Sequence, residues 1–167
     1  MNDNAAPDVI DQLAGLAPDS ALAQLRRQRG DVVRHLQGSD DAIFSPKEDG
    51  GFTRTERAAA ALRVAELLRD PVLTEHYRAR LAALDPSGAM AKTVEGGARI
   101  TEGRWDAVLM HVDLVTRGPD SAERKDIENL VAVGLSSQAI LALSQLIAFV
   151  NFQSRVLAGL RALGAPQ

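Results

Sequence analysis

At 167 residues, with 46% hydrophobic but only 4% aromatic side chains and with 27 alanines and 21 leucines, the chain has the length of one domain and a composition that favours helices. The absence of cysteine excludes disulfides, zinc–thiolate and iron–sulfur sites and any thiol nucleophile. A net charge of −3, with 19 basic residues dispersed among 22 acidic ones, argues against a nucleic-acid partner.

The N-terminus, MNDNAAPDVIDQL, carries acids where a signal peptide carries positive charge, so the protein is expected to be cytoplasmic. Residues 8–16 place Val9, Ile10, Leu13 and Leu16 on one helical stripe after Pro7. Pro18-Asp19-Ser20 starts a second helix through Leu22 and Leu25, and Gly30-Asp31 marks a break or kink before Val32, Val33 and Leu36. The turn-rich stretch SPKEDGG, 45–51, closes this part, so residues 1–51 read as an N-terminal helical extension and linker and residues 52–167 as the main helical domain.

Thr53 and Glu56 have capping-box spacing and open a helix to about Arg69. Asp70-Pro71 supplies an N-cap followed by proline at the first helical position. The helix it opens runs to about Leu84, with Val72 or Leu73, Tyr77, Leu81 and Leu84 inward and His76 beside that face. Residues 85–101 hold Pro86, Gly88, Gly96 and Gly97 without strong periodicity and read as a long connection. The Gly96-Gly97 pair lacks the strand-to-helix setting of a phosphate loop. The next helix carries Trp105, Val108, Leu109, Val112 and Val115, with His111 on its shoulder, and Gly118-Pro119 ends it. Asp120 or Ser121 starts another, with Ile127, Leu130 and Val131 inward and Gly134 as its cap. Ser136 opens the longest helix, to about Leu163. Its longest apolar window, 139–150, is shorter than the roughly 20 residues that cross a bilayer, so it reads as a core helix rather than a membrane span. Because it is apolar nearly all round between Ile140 and Leu160, another copy of the chain is expected to cover part of it.

The C-terminal stretch VAVGLSSQAILALSQLIAFVNFQSRVLAGLRAL resembles the corresponding helix pair of the carboxymuconolactone decarboxylase and alkyl hydroperoxidase D-like superfamily. The Gly134-Leu135-Ser136 turn, Ile140, the run from Ala148 to Phe152 and Arg155 carry the likeness. Upstream, FTRTERAAAALRVAELLRDPVLTEHYRARLAAL is similar to the superfamily's other helix pair through Leu62, Val64-Ala65 and His76. The resemblance covers roughly 52–163 and implies an all-α, oligomeric, alkyl hydroperoxidase D-like helical fold with no cofactor. In the peroxidase branch a Glu, a Cys-x-x-Cys pair and a His form a proton relay. Counting back from His76 puts Val72 and Arg69 where that cysteine pair stands and Arg57 at the Glu position, so thiol peroxidase chemistry is absent. The decarboxylase branch is similar around His76-Tyr77-Arg78, and its chemistry needs an acid/base group and a cation for the substrate carboxylate.

The resemblance therefore implies His76 as acid/base, with Glu66 or Glu56 as a nearby carboxylate. Arg69, Arg78 or Arg80 would hold an anionic substrate, in a cofactor-free enzyme acting on a lactone or carboxylate. The alternative is a non-catalytic structural or regulatory partner of a cysteine-bearing, peroxidase-like relative, with His76 as a packing residue. Asn151 and Arg155 lie four apart on one helix face and read either as an anion clamp or as an ion pair to Asp113, Asp126 or another subunit. His111 reads as a packing residue, Trp105 as a core or interface anchor, and His35 has no neighbours suggesting a role. Three histidines without His-x-x-x-His spacing give no metal site, and Arg26-Arg27 with Arg29 is a short solvated basic face.

Overall fold

A computed structural model of the chain describes residues 8–95 and 103–164. Among these residues the only regular elements are helices, so the protein is all-α. In chain order they are α1 (Val9–Leu13), α2 (Ala21–Arg27), α3 (Gly30–Phe44), α4 (Arg54–Leu68), α5 (Pro71–Leu84), α6 (Ala89–Glu95), α7 (Arg104–Arg117), α8 (Arg124–Ala132) and α9 (Ser137–Gly164), with a 3-10 turn at Pro119–Ser121 before α8.

The helix starts follow local chemistry. Thr53 Oγ1 accepts from the Glu56 amide at 3.2 Å while Glu56 Oε2 accepts from the Thr53 amide at 2.8 Å, the reciprocal box its spacing predicts. Asp70 Oδ1 accepts from the amides of Val72 and Leu73 and opens α5 ahead of Pro71. Ser136 Oγ accepts from Ala139 N at 3.1 Å and donates to the Gly50 carbonyl, which starts α9 and ties it to the loop before α4. Gly134, at φ +87°, takes the left-handed position after α8 that a side chain resists.

Four sequence expectations change. Leu84, expected inward on α5, is 41% exposed because it is the helix's last residue, beyond the buried turn at Leu81. The 85–101 connection contains α6, whose Val94 is buried; Gly96-Gly97 and the remainder to 101 lie outside the described residues. Helix α8 starts at Arg124 rather than at Asp120 or Ser121, because Pro119–Ser121 forms a separate turn and Glu123 and Asp126 make their own reciprocal cap. Ile127 and Val131 are exposed rather than inward, and of that predicted stripe Leu130 alone is buried. On a nine-residue amphipathic helix one buried position anchors the element without requiring its neighbours to follow.

Helix α4 lies at the centre, packed against α5, α6, α7 and α9. Its inner positions are mostly small: Ala58, Ala59, Ala60, Ala61 and Ala65 are fully buried with Leu62 and Val64, so the bulk of the core comes from its neighbours. These contribute Leu73, Tyr77 and Leu81 from α5, Val108 and Val112 from α7, and Leu143, Leu146, Ile147 and Val150 from α9. The N-terminal helices share this core through Val9, Ile10, Leu36 and Phe44. Arg26 holds them as a unit, donating to both oxygens of Asp8 and to Asp11, while the Val9 amide donates to Gln37 Oε1 of α3.

An 18-residue window of α9 has mean hydropathy 1.4, which by length and composition alone is enough to cross a membrane. Burial of Leu143, Leu146, Ile147, Val150 and Leu157 in the core accounts for much of that hydropathy. Among the described residues the outer face is exposed: Leu141 is 59% and Phe152 43% exposed, with Gln145, Ala148 and Arg155 exposed along the same stripe.

Arg57 fixes the 43–52 segment to α4. Its guanidinium is buried and donates to three backbone carbonyls, Phe52 at 2.8 Å, Ile43 at 2.9 Å and Asp49 at 3.0 Å. Replacing it with alanine leaves all three short of a donor, and Arg57→Ala is expected to lower unfolding free energy by about 3 kcal/mol. Thr53→Ala removes one cap and is expected to cost about 1 kcal/mol. Urea unfolding of both variants checks the order, and equal losses would contradict it.

Candidate functional site

A polar cluster forms where α3, α5 and α9 meet. On α3 the buried stripe is Leu36, Asp40 and Phe44, spaced four apart. On α5 the buried stripe is Leu73, Tyr77 and Leu81, flanked on one side by His76 and Arg80, also four apart. Gln153 sits in the inward stripe of α9 between Val150 and Leu157 and is completely buried.

Contacts across the three helices interlock. Arg80 Nη1 donates to Asp40 Oδ2 at 3.3 Å, and its guanidinium lies 4.2 Å from the centre of the Phe44 ring. The Phe44 ring is 5.2 Å from that of Tyr77, whose hydroxyl donates to Gln153 Oε1. Three buried polar atoms in the cluster have no hydrogen-bond partner: Asp40 Oδ1, His76 Nε2 and Gln153 Nε2. Such atoms cost about 1–3 kcal/mol each, and three belonging to one cluster is an unusual concentration.

The charges act on one another. Burial raises the Asp40 carboxyl above its ordinary range, opposed by Arg80 and by His76. Burial lowers the His76 imidazole and neighbouring Arg80 lowers it further, while Asp40 acts in the opposite direction. Tyr77 is pushed far up by burial and stays a neutral hydroxyl. The cluster thus places an imidazole, a carboxylate and a guanidinium together at a desolvated junction, which is the equipment for moving a proton beside an anion.

Of the residues predicted from sequence, His76 and Arg80 fall in this cluster. Glu66 lies elsewhere between α4 and α5, 3.5 Å from Arg78, and is raised by burial against the pull of Arg63 and Arg78. Arg78 also meets Glu75 and is two residues, about 200°, round the helix from His76. Glu56 is committed to the α4 cap and to Arg104, which donates to it at 3.1 Å. Arg69 is exposed and ends α4 in the left-handed conformation, φ 55°. Asn151 donates to the Ile147 carbonyl of its own helix.

Arg155 does not make either intrachain ion pair considered from sequence. Asp113 is held in two 2.7 Å bonds by Arg63, Asp126 caps α8, and Arg155 is exposed. His111 is more deeply buried than its shoulder position suggested, with Nδ1 unpartnered, and Trp105 is half-buried against the core with Nε1 unpartnered. His35 is exposed. No group of three or more metal-ligating side chains occurs among the described residues.

Sequence reasoning did not find Asp40 or Gln153. Asp40 belongs to the N-terminal extension, and the available signal was its four-residue spacing from Leu36 and Phe44. Gln153 interrupts an apolar stripe on α9, a signal in itself.

A cleft of ≈ 470 Å³ runs between α3 and α9, walled by Ser39, Ala42, Ile43, Ala148, Phe149 and Phe152. Phe149 lies 6.5 Å from Phe44, so a line of rings connects the cleft wall to the polar cluster. No protein-family model matches the chain, and no curated protein matches it.

Half-buried His76 and buried His111 are expected to make stability depend on pH. Burial lowers His76 and His111 below the ordinary 6.5, so the unfolded chain takes up protons first as pH falls. Stability is therefore full above about pH 7 and is lost as pH drops through the unfolded value toward the folded one. The urea midpoint is expected to fall between about pH 7.5 and about pH 6.0, with a shallower slope for His76→Gln/His111→Gln. A midpoint that holds or rises in the wild-type protein would contradict this.

Proposed function

We propose that the chain is a cysteine-free member of the carboxymuconolactone decarboxylase and alkyl hydroperoxidase D-like superfamily, acting without a cofactor on a small lactone or carboxylate. The single observation that carries this reading is the unpartnered, buried Nε2 of His76 on the same flank of α5 as Arg80. In it, His76 exchanges the proton and Arg80 attracts the substrate carboxylate, in a setting where low polarity strengthens both interactions. Arg80 suits that role better than Arg69 or Arg78: it lies in the cluster, with 24% of its side chain exposed. Arg69 ends α4, and Arg78 is spread between Glu66 and Glu75.

A direct probe is 4-carboxymuconolactone at about pH 7.5, with carbon dioxide release followed against a buffer blank. The expected outcome is release by the wild-type protein and a drop of about 10²–10⁴-fold in His76→Gln, the range for loss of a general acid/base. Release no faster than the blank would reject lactone decarboxylation.

The exposed stripe of α9 favours the second reading, an oligomeric structural or regulatory partner of like chains or of a cysteine-bearing relative. Leu141, Ala148 and Phe152 present an apolar surface beside the α3–α9 cleft, of the kind that subunit contacts cover. Sedimentation at micromolar concentration is expected to give a multiple of 17.8 kDa, reduced by Phe152→Asp. A wild-type mass of 17.8 kDa would defeat self-association.

A further inference from the structure

We infer that the outer face of α9 docks on the same face of a second copy, the two helices running antiparallel about a two-fold axis at the helix midpoint. The inference deepens the subunit-surface reading of α9 and rests on it.

Composition sets this face apart. From Ser137 to Leu160 the helix carries one charged residue, Arg155, although the outer side of a surface helix is ordinarily charged. The exposed positions Leu141, Gln145, Ala148, Phe152, Arg155 and Gly159 follow one another at intervals of four, three, four, three and four. They lie opposite the buried stripe of Leu143, Leu146, Val150 and Leu157. Alternating intervals of three and four keep a seam turned toward one partner helix, as in a coiled coil.

The order of side chains along the seam fits a copy of itself. Turned end over end about Val150, α9 overlaps its partner along nearly its whole length, Ser137–Gly164. Phe152 then covers the partner's Ala148, Leu141 covers the partner's Gly159, and Gln145 offers its carbonyl oxygen to the partner's Arg155. Each large apolar side chain meets a small residue, the one charge meets an acceptor, and symmetry makes every contact twice. A parallel pairing instead stacks Phe152 on Phe152, leaves Ala148 facing Ala148 and sets two Arg155 charges side by side. Size and charge therefore both select the antiparallel arrangement.

The area available matches what a dimer needs. A stable interface covers about 800 Å² on each partner. A helix of 28 residues is about 42 Å long and about 10 Å wide, so α9 alone supplies roughly half of it. The α3–α9 cleft of ≈ 470 Å³ runs beside the seam, with Ala148 and Phe152 in one wall and Ser39 and Ala42 of α3 in the other. Exposed Val32 and His35 extend the α3 wall at the same spacing, so a helix seated on α9 finds further surface on α3.

The absence of cysteine makes the register testable, because introduced thiols are the only ones present. Leu141→Cys and Gly159→Cys are made in the full-length chain; a Cβ at Gly159 meets no heavy atom within 4 Å, so the site accepts a side chain. With a short bis-maleimide neither variant alone is expected to crosslink, since like positions in the antiparallel pair stand about 27 Å apart. The two variants co-expressed are expected to give a crosslinked dimer. In sedimentation, Phe152→Ala is expected to weaken association about tenfold or more. Ala148→Phe/Phe152→Ala is expected to restore most of it, because the exchanged residues again face each other across the axis. Crosslinking of Leu141→Cys with itself, or no crosslink in the co-expressed pair from a protein sedimenting above 17.8 kDa, overturns the inference while leaving the subunit-surface reading standing. A wild-type mass of 17.8 kDa overturns both.

Discussion

The central constraint is the thinness of α4. A helix packed by five others presents buried positions round much of its circumference, and five alanines are fully buried on it. Bulky residues there would push α5, α7 and α9 apart; with alanine, their leucines and valines reach a common core. With α5 and α9 both packed on α4, the Tyr77 hydroxyl reaches across to Gln153. The polar cluster is therefore a consequence of the packing as much as of the residues that form it.

Polar anchors set the helix ends around this core. Arg63 and Asp113 join α4 to α7, and Asp70, Ser154 and Arg161 join the start of α5 to α9. Burial opposes ionisation of Asp70, but bonds from Arg161 and from the amides of Leu73 and Val72 prevail and hold its carboxyl below the ordinary range. Arg57 anchors the 43–52 segment and so sets where α3 meets the bundle. Asp40 in turn depends on that placement, because Phe44 lies in the segment and Asp40 stands one turn before Phe44.

Local sequence rules were enough where one short stretch decides the outcome. Thr53-Glu56, Asp70-Pro71 and Ser136 mark helix starts because each pairs a side chain with amides two or three residues away. The inward positions Leu73, Tyr77 and Leu81 of α5 followed for the same reason, since a fourteen-residue helix has a clear period, whereas Leu84 at its last position is exposed. Partners distant in sequence were not legible: Asp40 and Arg80 are 40 positions apart, and Tyr77 and Gln153 are 76 apart. Ile127 and Val131 misled because α8 meets the bundle mainly through Leu130, which periodicity alone does not reveal. Arg155 meets neither Asp113 nor Asp126, because it lies on a face of α9 that is exposed among the described residues, while those carboxylates serve Arg63 and the α8 cap.

The claim most exposed to experiment is that the junction of α3, α5 and α9 receives a small carboxylate. A crystal structure determined with a lactone carboxylate bound at neutral pH tests it most directly. The predicted result is the ligand carboxylate at Arg80 with another polar atom within hydrogen-bond reach of His76 Nε2, bounded by Asp40 and Gln153. A ligand seated in the α3–α9 cleft, with those side chains closed on one another, would contradict it.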